Sequence, residues 1–142
     1  MSQTVVIYTD GGARNNPGPA GAGVVIIDPS TGSGQAAKKT ELKKFLGSQT
    51  NNWAEYEAVI FALTEAKKHG LAGRAIEVRM DSKLVVEQMM GNWKIKEATL
   101  KPQAARVRAL LADFPKHLFV HIPREENSEA DRLVNEAIDE AL

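Results

Sequence analysis

The chain has 142 residues, 43% of them hydrophobic, with 18 Lys and Arg balanced by 18 Asp and Glu. That is the size of one globular domain, residues 1–142, with its own core and no net field to gather a polyanion. No apolar run approaches the roughly 20 residues of a membrane span and the N-terminus lacks a signal-peptide pattern, so a cytoplasmic protein without membrane contact is expected. There is no cysteine and there are three histidines, which excludes disulfides and thiolate sites and leaves oxygen or imidazole to hold any metal.

In chain order, "TVVIYT" is a β-branched run that ends in a glycine-rich turn, and "AGAGVVIIDPSTGSG" is a second run closed by the turn signal Asp28-Pro29-Ser30-Thr31-Gly32. The two are expected to pair antiparallel. "AAKKTELKKFLGS" fits a polar-faced strand or a short helix, and its place between turn signals favours the strand. From Asn52 to His69, Tyr56, Val59, Ile60, Leu63 and Ala66 recur at helical spacing until Gly70. "RAIEVRM" predicts a strand ending at Asp81, "SKLVVEQMMG" a short helix capped by Ser82, and "PQAARVRALLADF" another helix. "HLFVHI" predicts a strand, and "SEADRLVNEAIDEAL" a helix with Ser128 opening a capping box and an apolar stripe of Ala130, Leu133, Val134, Ala137 and Ile138. The order βββαβααβα predicts a mixed sheet with helices on both faces.

This order places Asp10 at the end of the first strand, Asp81 at the end of the fourth, and Glu55 and Asp131 in the first turns of two helices. Each acid has a plain alternative. A helix dipole favours Glu55 and Asp131 where they stand, and turn chemistry accounts for Asp10 and Asp81. Jointly the four meet one crevice, since strand ends and helix starts converge in an open α/β sheet. Convergent carboxylates need cations, and oxygen ligands suit Mg²⁺ or Mn²⁺.

The segments "YTDGGARNNPGPAGAG", "TNNWAEYEAVIFAL", "MDSKLVVEQM" and "PREENSEADRLVNEAID" look like the four acidic motifs of the ribonuclease H family, type 1, in its compact prokaryotic subgroup without the full basic protrusion. The resemblance implies a ribonuclease H-like fold with a five-stranded mixed sheet of order 3-2-1-4-5, the first three strands antiparallel. It also implies hydrolysis of the RNA strand of RNA–DNA hybrids with two Mg²⁺ ions, Mn²⁺ substituting, with 3′-hydroxyl and 5′-phosphate products and little sequence preference. By motif match, Asp10 would bridge both ions, Glu55 and Asp81 would help hold the one on the leaving-group side, and Asp131 the one that activates water. A monomer with no obligatory protein partner is expected.

The same match assigns Asn16, Asn51 and Asn52 to the minor groove of a hybrid, where 2′-hydroxyls mark the RNA strand, and Thr50 to a DNA-phosphate pocket, while Gly11, lacking bulk, is expected to admit a substrate phosphate beside Asp10. Loop chemistry is the alternative for the asparagines. Trp93 in "GNWKIKEATLKP", beside Lys94, either packs on a sugar or belongs to the core. The short insertion there, with zero net charge, predicts weak and salt-sensitive substrate binding. Two further departures stand out. The loop "FVHIPREEN" has no glycine, and His121 falls inside the predicted strand and reads as structural, so Arg124 is expected to contact the scissile phosphate. Asn15 stands where the family usually has glycine, and Asn tolerates the left-handed conformation. The rivals are another two-metal nuclease such as a resolvase, an idle binding module, and a non-nuclease Mg²⁺-binding α/β protein.

Overall fold

A computed structural model describes residues 3–29 and 37–142 of the chain. Five strands, β1 (Val5–Ala13), β2 (Gly18–Asp28), β3 (Lys38–Gln49), β4 (Ile76–Met80) and β5 (His117–His121), form one sheet in the order β3-β2-β1-β4-β5. β1, β2 and β3 pair antiparallel, and β4 and β5 join parallel. The helices are α1 (Asn51–Lys68), α2 (Lys83–Met89), α3 (Lys101–Leu111) and α4 (Ser128–Ala141), with 3-10 turns at Ala98–Leu100 and Arg124–Asn127. The expected element order and sheet order are both present. The part of the predicted turn from Ser30 to Gly32 lies outside the described residues.

The main core fills the space between one sheet face and α1 with α3: Val5, Ile7, Val24, Ile26 and Val78 meet Tyr56, Val59, Leu63 and Val107. Buried hydrogen bonds tie these helices together. Tyr56 Oη donates to Gln88 Oε1 on α2 at 2.6 Å, and Gln103 Nε2 on α3 donates to Trp53 O and to Glu57 Oε2.

On the opposite face α4 buries the predicted stripe of Ala130, Leu133, Val134, Ala137 and Ile138 against β2. The lysines that made β3 ambiguous have a structural use. β3 is an edge strand, and Lys39 pairs with Glu129, Lys43 with Glu136 and Glu140, and Glu41 with Arg132, so ion pairs link the strand to α4.

Two helix starts differ from expectation. α1 begins at Asn51 with Thr50 as its cap, the Thr50 hydroxyl accepting from Trp53 N, so Glu55 lies beyond the first turn. Ser128 is already helical because the 3-10 turn feeds directly into α4; Asn127 occupies the cap position, and no side-chain capping bond forms. Ser82 caps α2 as predicted, accepting from Val85 N at 3.3 Å.

Candidate active site

β1 does not end at Asp10. Its parallel pairing with β4 stops at Thr9 and Met80, while its antiparallel pairing with β2 continues through Asp10, Gly11, Gly12 and Ala13. Gly11 passes through the paired strand at a point where α1 leaves no room for a Cβ. Asp10 therefore sits where β4 leaves β1, which is the switch point of the sheet, and Asp81 follows directly on the last residue of β4.

Two glycines set how closely the helices approach. A Cβ on Gly11 would lie 2.1 Å from Ala54 O and 2.6 Å from Glu55 N. The bare backbone lets α1 close onto β1, and Gly11 N then donates to Glu55 Oε1 at 2.9 Å. The glycine thus serves the packing of α1. On the other face, a Cβ on Gly23, the pairing partner of Asp10, would lie 2.2 Å from Ala130 O. Its absence seats α4 so that Asp131, the next residue, faces Asp10. Buried Asn127 fixes the start of α4, donating from Nδ2 to Thr9 O at 2.9 Å.

Carboxylate oxygens of Asp10, Glu55 and Asp81 lie within 4.8 Å of one another, and Asp131 lines the same cleft with its charge acting on the Asp10 carboxyl. Asp10 is only 7% exposed. Burial first, then the charges of Asp81 and Asp131, push its carboxyl up to about 8. Glu55 is likewise held well above the usual carboxylate range by burial and by Asp10 and Asp81, with the Gly11 N–H and Arg124 opposing. Without cations, these groups are ionised together only at a cost. Asp81 Oδ1 is buried and accepts no hydrogen bond from any described residue. An orphaned carboxylate oxygen among like charges, with an all-oxygen donor set, fits a hard divalent cation.

The acids form the floor of a cleft of about 570 Å³. Arg124 also lines it, and its charge lowers both Asp10 and Glu55 toward ionisation. His121 is the exposed last residue of β5 and lines the same cleft. The reading of His121 as a structural residue is therefore corrected: β5 is an edge strand that ends at the cleft, which leaves the ring outside the core.

Asn16 Oδ1 accepts from Asn51 N, and Asn51 Oδ1 accepts from Ala13 N, both at 2.8 Å, so the two side chains join the turn after β1 to the start of α1. Asn52 Nδ2 donates to Glu97 Oε1 at 3.1 Å. Trp93 is 44% exposed, with Lys83 Nζ 5.9 Å from its ring centroid. The core alternative for this tryptophan is thereby excluded. With Lys94 it lines a separate hollow of about 470 Å³ beside α2. Asn15 has φ 61°, the left-handed conformation expected of it.

The sequence reading passed over Arg14 and Asn135, which line the cleft at its α4 side. One signal was available for Arg14: a long cation inside a Gly, Asn and Pro turn serves no turn chemistry.

Residues 8–137 match the family model described as reverse transcriptase-like. The chain is 45% identical over 139 residues to a bifunctional protein of Mycobacterium tuberculosis, covering 96% of this chain and 36% of that protein. It is 41% identical over 134 residues to the ribonuclease HI of Halobacterium salinarum, covering 94% of this chain and 64% of that protein. It therefore spans about a third and about two thirds of the lengths of these relatives. Among solved structures, LC11-RNase H1 in complex with an RNA/DNA hybrid is 50% identical with a TM-score of 0.86, covering 97% of this chain and 99% of that one.

Proposed function

The chain belongs to the ribonuclease H family, type 1, and on that premise we propose that it hydrolyses the RNA strand of RNA–DNA hybrids with two divalent cations held by Asp10, Glu55, Asp81 and Asp131. The products are a 3′-hydroxyl and a 5′-phosphate, and the enzyme works as a cytoplasmic monomer with little sequence preference. Mg²⁺ is the natural ion and Mn²⁺ a substitute. The observation that carries the reading is that Asp10, Glu55 and Asp81, from three elements, bring carboxylate oxygens within 4.8 Å of one another in a cleft that Asp131 also lines.

When bound, divalent cations neutralise the phosphodiester and acidify water beside it, and they stabilise the departing oxygen. The protein's own residues do the rest. Gly11 N–H orients Glu55, and Asn127 ties the helix that carries Asp131 to the strand that carries Asp10. Arg124 faces the acids and offers a forked donor to the phosphate. His121, the last residue of β5, lines the cleft beside Arg124. With their oxygens engaged in the fold, Asn16 and Asn51 present amide donors to 2′-hydroxyls. Asn52 and Thr50 flank them, while Trp93 and Lys94 meet the hybrid backbone from the second hollow.

The test is cleavage of a labelled RNA–DNA hybrid with Mg²⁺, with and without chelator, beside a duplex DNA of the same sequence and the variant Asp10→Asn. Cleavage confined to the RNA strand, abolished by chelator and by the variant, is the expected result. Equal survival of the hybrid with wild type and variant overturns the proposal, and cleavage of duplex DNA alone favours a DNA nuclease instead.

A further inference from the structure

Arg14 lies just beyond the last paired residue of β1, four residues past Asp10, or roughly 13 Å along an extended strand. The turn that carries it is closed by Arg14 N donating to Pro19 O at 2.9 Å. Gly18 is required there, because a Cβ on it would meet Arg14 O at 1.6 Å. The backbone of Arg14 is thus set by local geometry before its side chain makes any contact.

The guanidinium reaches across the cleft to α4, where Nη1 lies 2.8 Å from Asp139 Oδ1 and Nη2 donates to Asn135 Oδ1 at 3.2 Å. Asn135 Nδ2 in turn donates to Asp131 O. Asn135 and Asp139 are four and eight residues beyond Asp131, which puts Arg14 roughly 6–12 Å from the acid cluster along the helix axis. Arg124 lies before the start of α4, on the other side of Asp131.

The floor of this cleft is negative, with Asp10, Glu55, Asp81, Glu125 and Asp131 along it, and Arg14 and Arg124 are the lining residues of opposite sign. Those two guanidiniums are the side chains of the lining that can pair directly with the phosphates of an entering polyanion. The side chains of Arg14 and Asp139 are 39% and 65% exposed, and an ion pair that open to water contributes little, so a phosphate displaces Asp139 at small cost. A guanidinium carries five N–H donors, more than its two present partners use.

We infer that Arg14 forms a second anion site in the cleft, binding a phosphate of the RNA strand within a few nucleotides of the one that is cut. Asn135 aims the guanidinium and links the site to the helix carrying Asp131, while Asp139 is a removable counter-ion. The inference rests on the proposed hybrid cleavage.

The experiment compares wild type with Arg14→Ala, Arg14→Lys and Asp139→Ala on an RNA–DNA hybrid with Mg²⁺, reading KM, kcat and the salt dependence of binding. Arg14→Ala is expected to raise KM about 5- to 10-fold with kcat within twofold, and to reduce the salt slope by about 1. Arg14→Lys should recover part of the loss, because it keeps the charge without the fork. Asp139→Ala should leave KM at or below the wild-type value. A scan of single neutral methylphosphonates along the RNA strand should find one position, apart from the cleaved bond, that weakens binding to wild type and not to Arg14→Ala. If Arg14→Ala matches wild type, or if Asp139→Ala shares its defect, Arg14 only braces α4 and the site is refuted. A wild type that leaves the hybrid uncut overturns the proposed function and this site together.

Discussion

Replacing Asp10 by Asn should abolish cleavage and, in the absence of metal, stabilise the fold. The carboxyl of Asp10 is pushed from 3.8 up to about 8, chiefly by burial and then by Asp81 and Asp131. An acid whose folded value is raised is bound more tightly to its proton in the native state. Its contribution to stability is therefore fully present below pH 3.8 and is lost progressively as pH rises toward 8. The whole shift, about 4 units, corresponds to a ceiling of about 6 kcal/mol above pH 8. The cleft is open to water and Glu55 can take up part of the relief, so about 2–3 kcal/mol is the expected difference at pH 9. For a chain of this size that is roughly 6–15 °C in Tm. Asn keeps the size of the side chain and removes the charge, which isolates the electrostatic effect. Urea denaturation with chelator, at pH 4.5, 7 and 9, should give nearly coincident curves at the lowest pH and a widening gap in favour of the variant above it. Saturating Mg²⁺ should narrow the gap, because the cation binds the native wild type and stabilises it through that binding. If the two curves stay parallel from pH 4.5 to 9, the desolvated carboxylates are not the source of the cost and the electrostatic account of the site fails.

Other outcomes follow from the packing. Gly11→Ala, with a Cβ 2.1 Å from Ala54 O, should lose about 2–4 kcal/mol and most of its activity as α1 and Glu55 move away. Gly12→Ala, whose Cβ meets Val134 Cγ1 at 3.8 Å, should leave the unfolding midpoint nearly unchanged; equal losses for both would refute the close-approach argument. Cation affinity measured by titration calorimetry should rise about tenfold per pH unit below about 8, then level off, because the Asp10 proton must leave first; an affinity independent of pH would count against it. Tyr56→Phe strips a buried partner from Gln88 Oε1 and should cost about 1–3 kcal/mol in denaturation with kcat little changed.

Much of the fold was legible because its signals are local. The α4 stripe is a 3.6-residue pattern that any packed helix must show, and Ser82 caps α2 through a bond spanning three residues. The turn at Asn15 could be read because few residue types adopt its backbone conformation. Two of the differences arise from pairing between distant segments, and the third from the turn that precedes α4. Falling apolar content marks Asp10 as a strand end in the sequence, but β2 goes on pairing with β1 and only β4 departs. Ser128 looked like a cap until the preceding turn proved helical. His121 looked internal to its strand, and the strand turned out to lie at the edge of the sheet with its end in the cleft.

By itself, the sequence determined the types of element, their order and the identity of the four acids, since apolar periodicity, turn residues and carboxylate chemistry act over a few neighbouring positions. Tertiary structure alone decided what those acids experience. The desolvation of Asp10, the reach of Glu55 past a bare Gly11 and the stretch of Arg14 to Asn135 and Asp139 join residues 44, 121 and 125 or more positions apart or depend on such contacts. Burial and charge are summed over everything that surrounds a group in space, and the folded chain alone fixes that sum.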